Sequence, residues 1–237
     1  MTFHCFTSDF SFVPASVLSV IVAKIRNSFD GAIATIPIPS DAAPEIPRII
    51  MKSANDKREL QAGPERISVI YKQLPTEQPG HVDVDEALKA ALKVFSTARK
   101  GLKFRVSRIA AIQTRTLTIP DPAMELARHF CKREFLDRTS EPKGALSRSE
   151  NFELHAHKKF QPQKVDVDIN SWMRCKTGSL ISAGVSQPAV VVEQDMNTLQ
   201  EIAPTASFDD IRMRSILRRL MTELDAVLRL YFPEVAE

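Results

Sequence analysis

Apolar and polar positions follow the same succession of helical and strand periods in both halves of the chain. Residues 12–14 open an apolar helix that ends at Phe29, and residues 118–120 open another that ends at Phe135. After each helix come three stretches with the alternation of half-buried strands, and then a second helix. The pattern predicts two β-α-βββ-α units, one after the other.

In the first half, Phe6, Phe10 and Phe12 indicate an edge-like opening strand before the helix. Proline-rich residues 36–47 predict an extended connector. Three antiparallel strands are expected at residues 48–51, 58–61 and 66–72, and an amphipathic helix at residues 84–95 with Gly101 marking its end.

In the second half, apolar residues 109–112 indicate that strand 104–117 is central and covered on both faces. Asp195 and Asn197 suggest an Asx turn, and Ser207 suggests the N-cap of the last helix. The remaining expectations are an exposed loop at residues 137–149, strands at 152–160, 165–175 and 189–192, and residues 176–178 as the end of the middle strand.

These elements predict an α+β fold. Two β-α-βββ-α units, residues 1–100 and 101–237, form a pseudo-twofold antiparallel sheet with helices packed on one face. We expect them to make one continuous structural domain.

Composition indicates a folded cytoplasmic protein. Hydrophobic residues make up 43% and charged residues 26% of the chain, which is typical of a globular domain. The three cysteines, Cys5, Cys131 and Cys175, are odd in number and widely spaced, so we expect free thiols. The N-terminus lacks a basic signal-peptide region, and the most apolar run, residues 17–23, is too short to span a membrane. Seven glycines offer little material for phosphate loops, and we expect no cofactor.

Positive charge is concentrated in the middle of the chain. Residues 97–176 contain 17 Lys/Arg and nine Asp/Glu, which suits a nucleic acid or an acidic partner. Binding of single-stranded nucleic acid also uses stacking aromatic residues, and Phe104 is the one aromatic residue among the candidates. The alternative is that these basic residues form a solvated rim. The candidates are Arg99, Lys100, Lys103, Arg105, Arg108 and Arg115.

Two histidines raise the question of a metal site. His155 and His157 share one face of a strand with Glu153, and Asp168 alternates outward on the next strand. Zinc sites need a third and fourth ligand, and no Cys-x-x-Cys or Glu-x-x-His motif lies near. A solvated strand face with cross-strand ion pairs is the alternative.

Trp172 is the single tryptophan and falls on the polar side of its strand together with Arg174. Tryptophan and arginine are enriched among the residues that dominate protein interfaces. We therefore name Trp172 and Arg174 as candidate partner-binding residues, with coverage of Trp172 by a helix of this chain as the alternative.

Three segments resemble a family of bacterial proteins of about this length that is sporadically distributed and of unknown function. They are the strand at residues 108–115 before a proline-led helix, residues 190–198, and the end of the last helix at residues 230–232. The resemblance implies a duplicated α+β fold and no particular activity. The patchy distribution implies mobile or defence-associated loci.

The sequence therefore favours a non-enzymatic interaction or assembly protein, an accessory subunit of a bacterial system such as phage defence or a mobile element. Its partner would be another protein, or the same chain in a homo-oligomer, and no membrane. The alternatives are a nucleic-acid-binding protein that uses residues 97–176 and a metal-dependent hydrolase around His155 and His157.

Overall fold

A computed structural model describes residues 1–7, 9–39, 41–73, 83–136, 146–147, 149–163, 165–182, 184–199 and 207–231. The strands within these ranges are β1 (Thr2–Thr7), β2 (Ile33–Thr35), β3 (Ile49–Lys52), β4 (Arg58–Ala62), β5 (Arg66–Tyr71), β6 (Val106–Thr118), β7 (Glu153–Phe160), β8 (Ile169–Ser182) and β9 (Val185–Thr198). The helices are α1 (Pro14–Ile25), α2 (Val84–Leu102), α3 (Pro122–Phe130) and α4 (Asp210–Tyr231). The predicted α+β class is confirmed.

The element order follows the expected succession closely. The first half runs β1, α1, β3 to β5 and α2, with the additional short strand β2 before β3, and the second runs β6, α3, β7 to β9 and α4. Short 3-10 turns at Arg26–Ser28 and Arg133–Phe135 continue α1 and follow α3. Duplication and the pseudo-twofold relation stay predictions. Most of the expected loop at residues 137–149 lies outside the described residues.

The strands form one sheet in the order β2-β3-β4-β5-β1-β6-β9-β8-β7. β1 pairs antiparallel with both β5 and β6, with His4 opposite Ser68 on one side and Ala110 on the other. The expectation of an edge-like opening strand was therefore wrong. Phe10 and Phe12 lie beyond the end of β1, where Phe10 packs against Phe104.

Gly101 has a different role from the one expected. α2 continues to Leu102, and Lys103 caps it in the left-handed conformation with φ 56°. A Cβ at Gly101 would lie 2.3 Å from Val20 Cγ1, so glycine at this position allows α1 and α2 to approach. The residue marks a close helix contact rather than a helix end.

β8 and β9 are longer than their apolar segments suggested. Each has 14 residues, so residues 176–178 do not end β8, and Asp195 and Asn197 lie inside β9 rather than in an Asx turn. The two strands are joined at residues 183–184, where Gly184 has φ +80°. A Cβ at Gly178 would lie 2.8 Å from Val191 Cγ2, so this glycine accommodates a neighbouring side chain within the sheet.

The start of α4 also differs from the expectation. The Asp209 side chain accepts a hydrogen bond from Arg212 N at 2.8 Å and caps the helix, so Ser207 is not the N-cap. Among the apolar residues at this end of the chain, Phe208, Leu217 and Leu220 are buried, but Ile211 is 80% exposed.

The chain divides into two compact units that are discontinuous in sequence. Unit 1 contains residues 1–112, 159–170 and 196–237, and unit 2 contains residues 113–158 and 171–195. In unit 1, α2 packs against α1, α4, β1 and β5. Buried apolar residues of unit 2 are Ala123, Leu126, Ala127, Met173, Cys175, Ala189, Val190 and Val192. The division into repeats at residues 1–100 and 101–237 stays a prediction.

Candidate protein interface

Trp172 and Arg174 lie on the half-buried face of β8, as the alternation predicts. Ser171, Met173 and Cys175 between and beside them are buried on the other face. Successive side chains of a strand point to opposite faces of a sheet, so the two candidate residues share one face.

The Trp172 indole stacks on a ring from the neighbouring strand. The ring centroids of His157 and Trp172 are 4.1 Å apart, with an interplanar angle of 15°. The Arg174 guanidinium carbon lies 5.6 Å from the indole centroid, within the range of a cation–π contact. The indole thus contacts both an imidazole and a guanidinium while part of it remains accessible.

Ion pairs flank this aromatic stack. Arg174 Nη1 lies 2.6 Å from Glu193 Oε1 on β9, and both side chains are partly exposed. His155 Nε2 lies 2.7 Å from Glu153 Oε1 on the solvent-exposed side of β7. The hydrogen bond to His155 lowers the pKa of Glu153. Such exposed pairs contribute little stability.

The structure does not assemble the metal site that the sequence suggested. His155 is engaged with Glu153 and His157 with Trp172, while the Asp168 carbonyl accepts a hydrogen bond from Leu199 N. Within the described residues, no group of three or more His, Cys, Asp or Glu side chains is placed to hold a metal ion. A structural zinc site needs four ligands and a catalytic one needs three.

The cysteines are free, and two of them are poor nucleophiles. Burial raises the pKa of the Cys5 thiol, and burial also raises the pKa of Cys175 to about 11. A buried thiol with a raised pKa holds its proton at neutral pH and therefore reacts slowly.

Three of the predicted nucleic-acid-binding residues have carboxylate partners. Arg99 Nη2 lies 2.9 Å and Lys100 Nζ 2.6 Å from the two Asp210 oxygens, and Arg105 Nε lies 2.6 Å from Asp9 Oδ2. Partial burial opposes the ionisation of Asp210, but hydrogen bonds from Lys100, Ser96 and Arg99 outweigh it and lower its pKa to about 2. These pairs leave less positive charge available to a phosphate backbone than the sequence suggested.

The other three candidates occupy separate positions. Lys103 is the exposed cap of α2, and the Arg108 guanidinium carbon lies 4.4 Å from the centroid of Phe6. Arg115 lies in the part of β6 that belongs to unit 2. The basic stretch of the sequence is thus not gathered around one aromatic platform.

Unit 2 also contains an open cleft of about 760 Å³ at the start of α3. Asp121 caps that helix by accepting a hydrogen bond from Met124 N at 3.3 Å. The lining of the cleft is mixed polar and apolar and comprises residues 120–124, 149–151, 177–179 and Pro188. The helix terminus is satisfied by the chain itself, and the cleft shows no convergent catalytic groups.

The distal part of the β8–β9 hairpin, residues 177–182 and 185–190, is called the hairpin end below. Its exposed apolar side chains are Leu180, Ile181 and Val185, with exposures of 39%, 72% and 58%. Leu180 and Ile181 are consecutive in β8 and therefore point to opposite faces. The sequence from Thr177 to Val192 contains no charged residue. Exposed apolar groups on both faces of an uncharged ribbon are unusual for a surface that stays in water.

Comparisons with known proteins add no functional assignment. No protein-family model matches the chain, and no curated protein matches it. Among solved structures, it is similar to the di-domain ARO/CYC StfQ from the steffimycin biosynthetic pathway, at 8% identity over 100% of this chain and 96% of that chain. The TM-score is 0.20, which supports no argument about fold or function. No helix in the described ranges is long and apolar enough to cross a membrane.

Sequence reasoning placed Trp172 and Arg174 on one face of a strand but did not identify the hairpin end. The available signal was the absence of charge across Thr177 to Val192, combined with Gly184 between two stretches containing Leu, Ile and Val. Glycine between such stretches is a hairpin signal.

Proposed function

We propose that this protein is a non-enzymatic interaction protein that acts as an accessory or assembly subunit of a bacterial system. The observation that carries the proposal is Trp172, half-buried on a sheet face and in contact with both His157 and Arg174. A preordered tryptophan loses little conformational freedom when a partner covers it, and it offers a large contact area.

The chemistry of the surrounding residues supports a protein partner. Arg174 already has a carboxylate neighbour, so its charge is partly neutralised before any partner binds. An interface with a central aromatic residue and a polar rim is typical of protein–protein contacts. A membrane or a polyanion would instead favour uncompensated positive charge.

Native mass spectrometry of the protein purified gently from its own host tests this proposal. We expect a complex heavier than the chain and its simple multiples, with a second protein as the added mass. Added mass that nuclease removes would instead support the nucleic-acid alternative. A mass of the chain alone, or only its multiples, would count against a heteromeric assembly role.

Once that partner is identified, Trp172→Ala should weaken its binding by on the order of 30-fold, since removing a central tryptophan typically costs at least about 2 kcal/mol of binding free energy. Ile211→Ala is the matched control because it also truncates an exposed apolar side chain, in unit 1. Titration calorimetry of both variants compares the two positions. Equal affinity for the Trp172→Ala variant and the wild type would remove Trp172 from the interface.

A further inference from the structure

The outer edge of β8 changes character beyond Thr177. Thr177 N donates a hydrogen bond to Phe152 O at 3.0 Å, so the Thr177 backbone faces the β7 side of the sheet. Backbone groups alternate between the two edges of a strand, which directs the N–H and C=O of Ser179 and Ile181 the same way. β7 begins at Glu153, and within the described residues no strand lies beside Ser179 or Ile181.

The remaining backbone contacts of the hairpin end agree with this assignment. Pro188 has no N–H to donate, and its carbonyl accepts a hydrogen bond from Ile119 N at 3.1 Å, just beyond β6. The β6 side of β9 is therefore occupied at Pro188, whereas no strand of the described residues occupies the outer edge of β8 at Ser179 and Ile181.

The charge pattern on this edge distinguishes its two parts. β7 carries Lys158 and Lys159, and lysine on an edge strand opposes pairing with another chain. The hairpin end has no such protection, because the segment from Thr177 to Val192 is uncharged. When identical segments pair around a twofold axis, charged residues near the axis face their own charge, and an uncharged segment avoids that repulsion.

We propose that the hairpin end pairs with the hairpin end of a second copy of this chain, antiparallel and around a twofold axis. Ser179 exchanges both backbone hydrogen bonds with the partner's Ile181, and Ile181 does the same with the partner's Ser179. Leu180 then meets the partner's Leu180 on one face, while the two Ile181 side chains become diagonal neighbours on the other. The pairing accounts for exposed apolar side chains on both faces of β8.

The paired segment is short, so the dimer is expected to be weak and reversible. A few residues on each side bury less than the roughly 1,200–2,000 Å² of a stable protein interface. The dimer population should therefore rise with protein concentration. This self-association uses a surface separate from Trp172 and does not rest on the proposed heteromeric partner.

Sedimentation velocity of the full chain over a wide concentration range tests the pairing. The wild type should shift from the 26.5 kDa monomer toward twice that mass as its concentration rises. Ile181→Pro should stay monomeric, because proline removes the outward N–H while leaving the β9 side of the strand intact. Ile33→Lys is the matched control, since it charges an exposed apolar residue, 41% accessible, on the opposite edge strand β2.

Circular dichroism shows whether the Ile181→Pro variant folds. If it does not, Ile181→Lys is a second variant that tests the same pairing. It keeps the backbone N–H but places two like charges near the twofold axis, so it should also be monomeric. A wild type that remains monomeric at every concentration overturns the proposal, as does a dimer that persists with Ile181→Lys or is lost with Ile33→Lys. Trp172→Ala should leave self-association unchanged. The self-association proposal and the partner-binding proposal can therefore be contradicted independently.

Discussion

His4 in unit 1 and His157 in unit 2 are both strand residues, but their surroundings differ completely. His4 is 9% exposed, and its Nδ1 lies 2.8 Å from Ser68 Oγ on the adjacent strand. His157 is exposed and stacks on Trp172. Unit 1 satisfies the imidazole internally and buries it, whereas unit 2 uses the imidazole to hold a large aromatic ring at the surface. The difference separates a buried histidine with a polar partner from an exposed histidine in an aromatic stack.

The largest expected effect is a fall in the free energy of unfolding at acid pH, caused by the buried His4. Burial, followed by the charges of Arg66 and Arg108, lowers the pKa of His4 from 6.5 to about 4. The unfolded chain therefore binds the proton more tightly, and the free energy of unfolding should fall by about 3 kcal/mol as the pH drops from about 6.5 to about 4. Below pH 4 both states are protonated, and His4 causes no further loss.

Urea unfolding of wild type and His4→Gln across this pH range isolates the contribution. The glutamine variant should lack that part of the pH dependence, while His129→Gln, at an exposed position on α3, should retain it. Parallel pH profiles for the wild type and the His4→Gln variant would show that His4 is not the source of this pH dependence.

A smaller effect on the free energy of unfolding is expected from alanine substitution of two closely packed glycines, one in each unit. Gly101→Ala places a methyl group against Val20 on α1, and overpacking of this kind costs about 1–3 kcal/mol, partly offset by the better helix propensity of alanine. Gly178→Ala makes one close contact, 2.8 Å from Val191 Cγ2, so its effect on the free energy of unfolding should be smaller. Chemical denaturation of both variants measures the difference.

A double variant tests whether contact with Val20 is the cause of the destabilisation by Gly101→Ala. In a Val20→Ala background, Gly101→Ala should become neutral or stabilising by up to about 1 kcal/mol, because the obstructing methyl groups are gone. If Gly101→Ala remains equally destabilising there, contact with Val20 is not the reason for the glycine.

The smallest expected effects concern one ion pair from each unit. Asp210 accepts hydrogen bonds from Ser96, Arg99 and Lys100, and Asp210→Asn should lower the free energy of unfolding at pH 7 by about 1–2 kcal/mol. Glu193 pairs with Arg174 at a more exposed position, so Glu193→Gln should change it by less than about 0.5 kcal/mol.

The pH dependence separates the two carboxylates further. The pKa of Asp210 is lowered to about 2, so its stabilising contribution is present above about pH 4 and is lost as the pH falls through about 2. Acid titration of the wild type against Asp210→Asn should show that loss. Equal effects of the two substitutions at neutral pH would contradict the expected difference between these two carboxylates.

Local patterns in the sequence predicted most elements of the fold but not their full extent. Strands β3, β4 and β5 were found because alternating apolar residues lie between turn residues, and β2 was missed because its three residues are all exposed. Gly178 was interpreted as a stop, although glycine in a strand also permits close approach of a neighbour. Position within the sheet was equally hidden, since the central location of β1 depends on pairing with β6, about 100 residues away.

The candidate interface was only partly predictable for the same reason. The alternation in β8 placed Trp172 and Arg174 on one face, but the stacking of His157 depends on the register between β7 and β8. The partners of Arg99, Lys100 and Arg105 come from α4 and from Asp9, far away in sequence. A local charge count includes the cations but not these distant carboxylates.

Trp172 is the single tryptophan of the chain, and this gives the protein an internal optical reporter at its candidate interface. When indole fluorescence is selectively excited, the emission comes from one ring with known neighbours. A change in its emission wavelength or intensity can therefore be assigned to the surroundings of Trp172. Partner docking on that face can thus be followed on unlabelled protein, and changes elsewhere in the molecule would leave the signal largely silent.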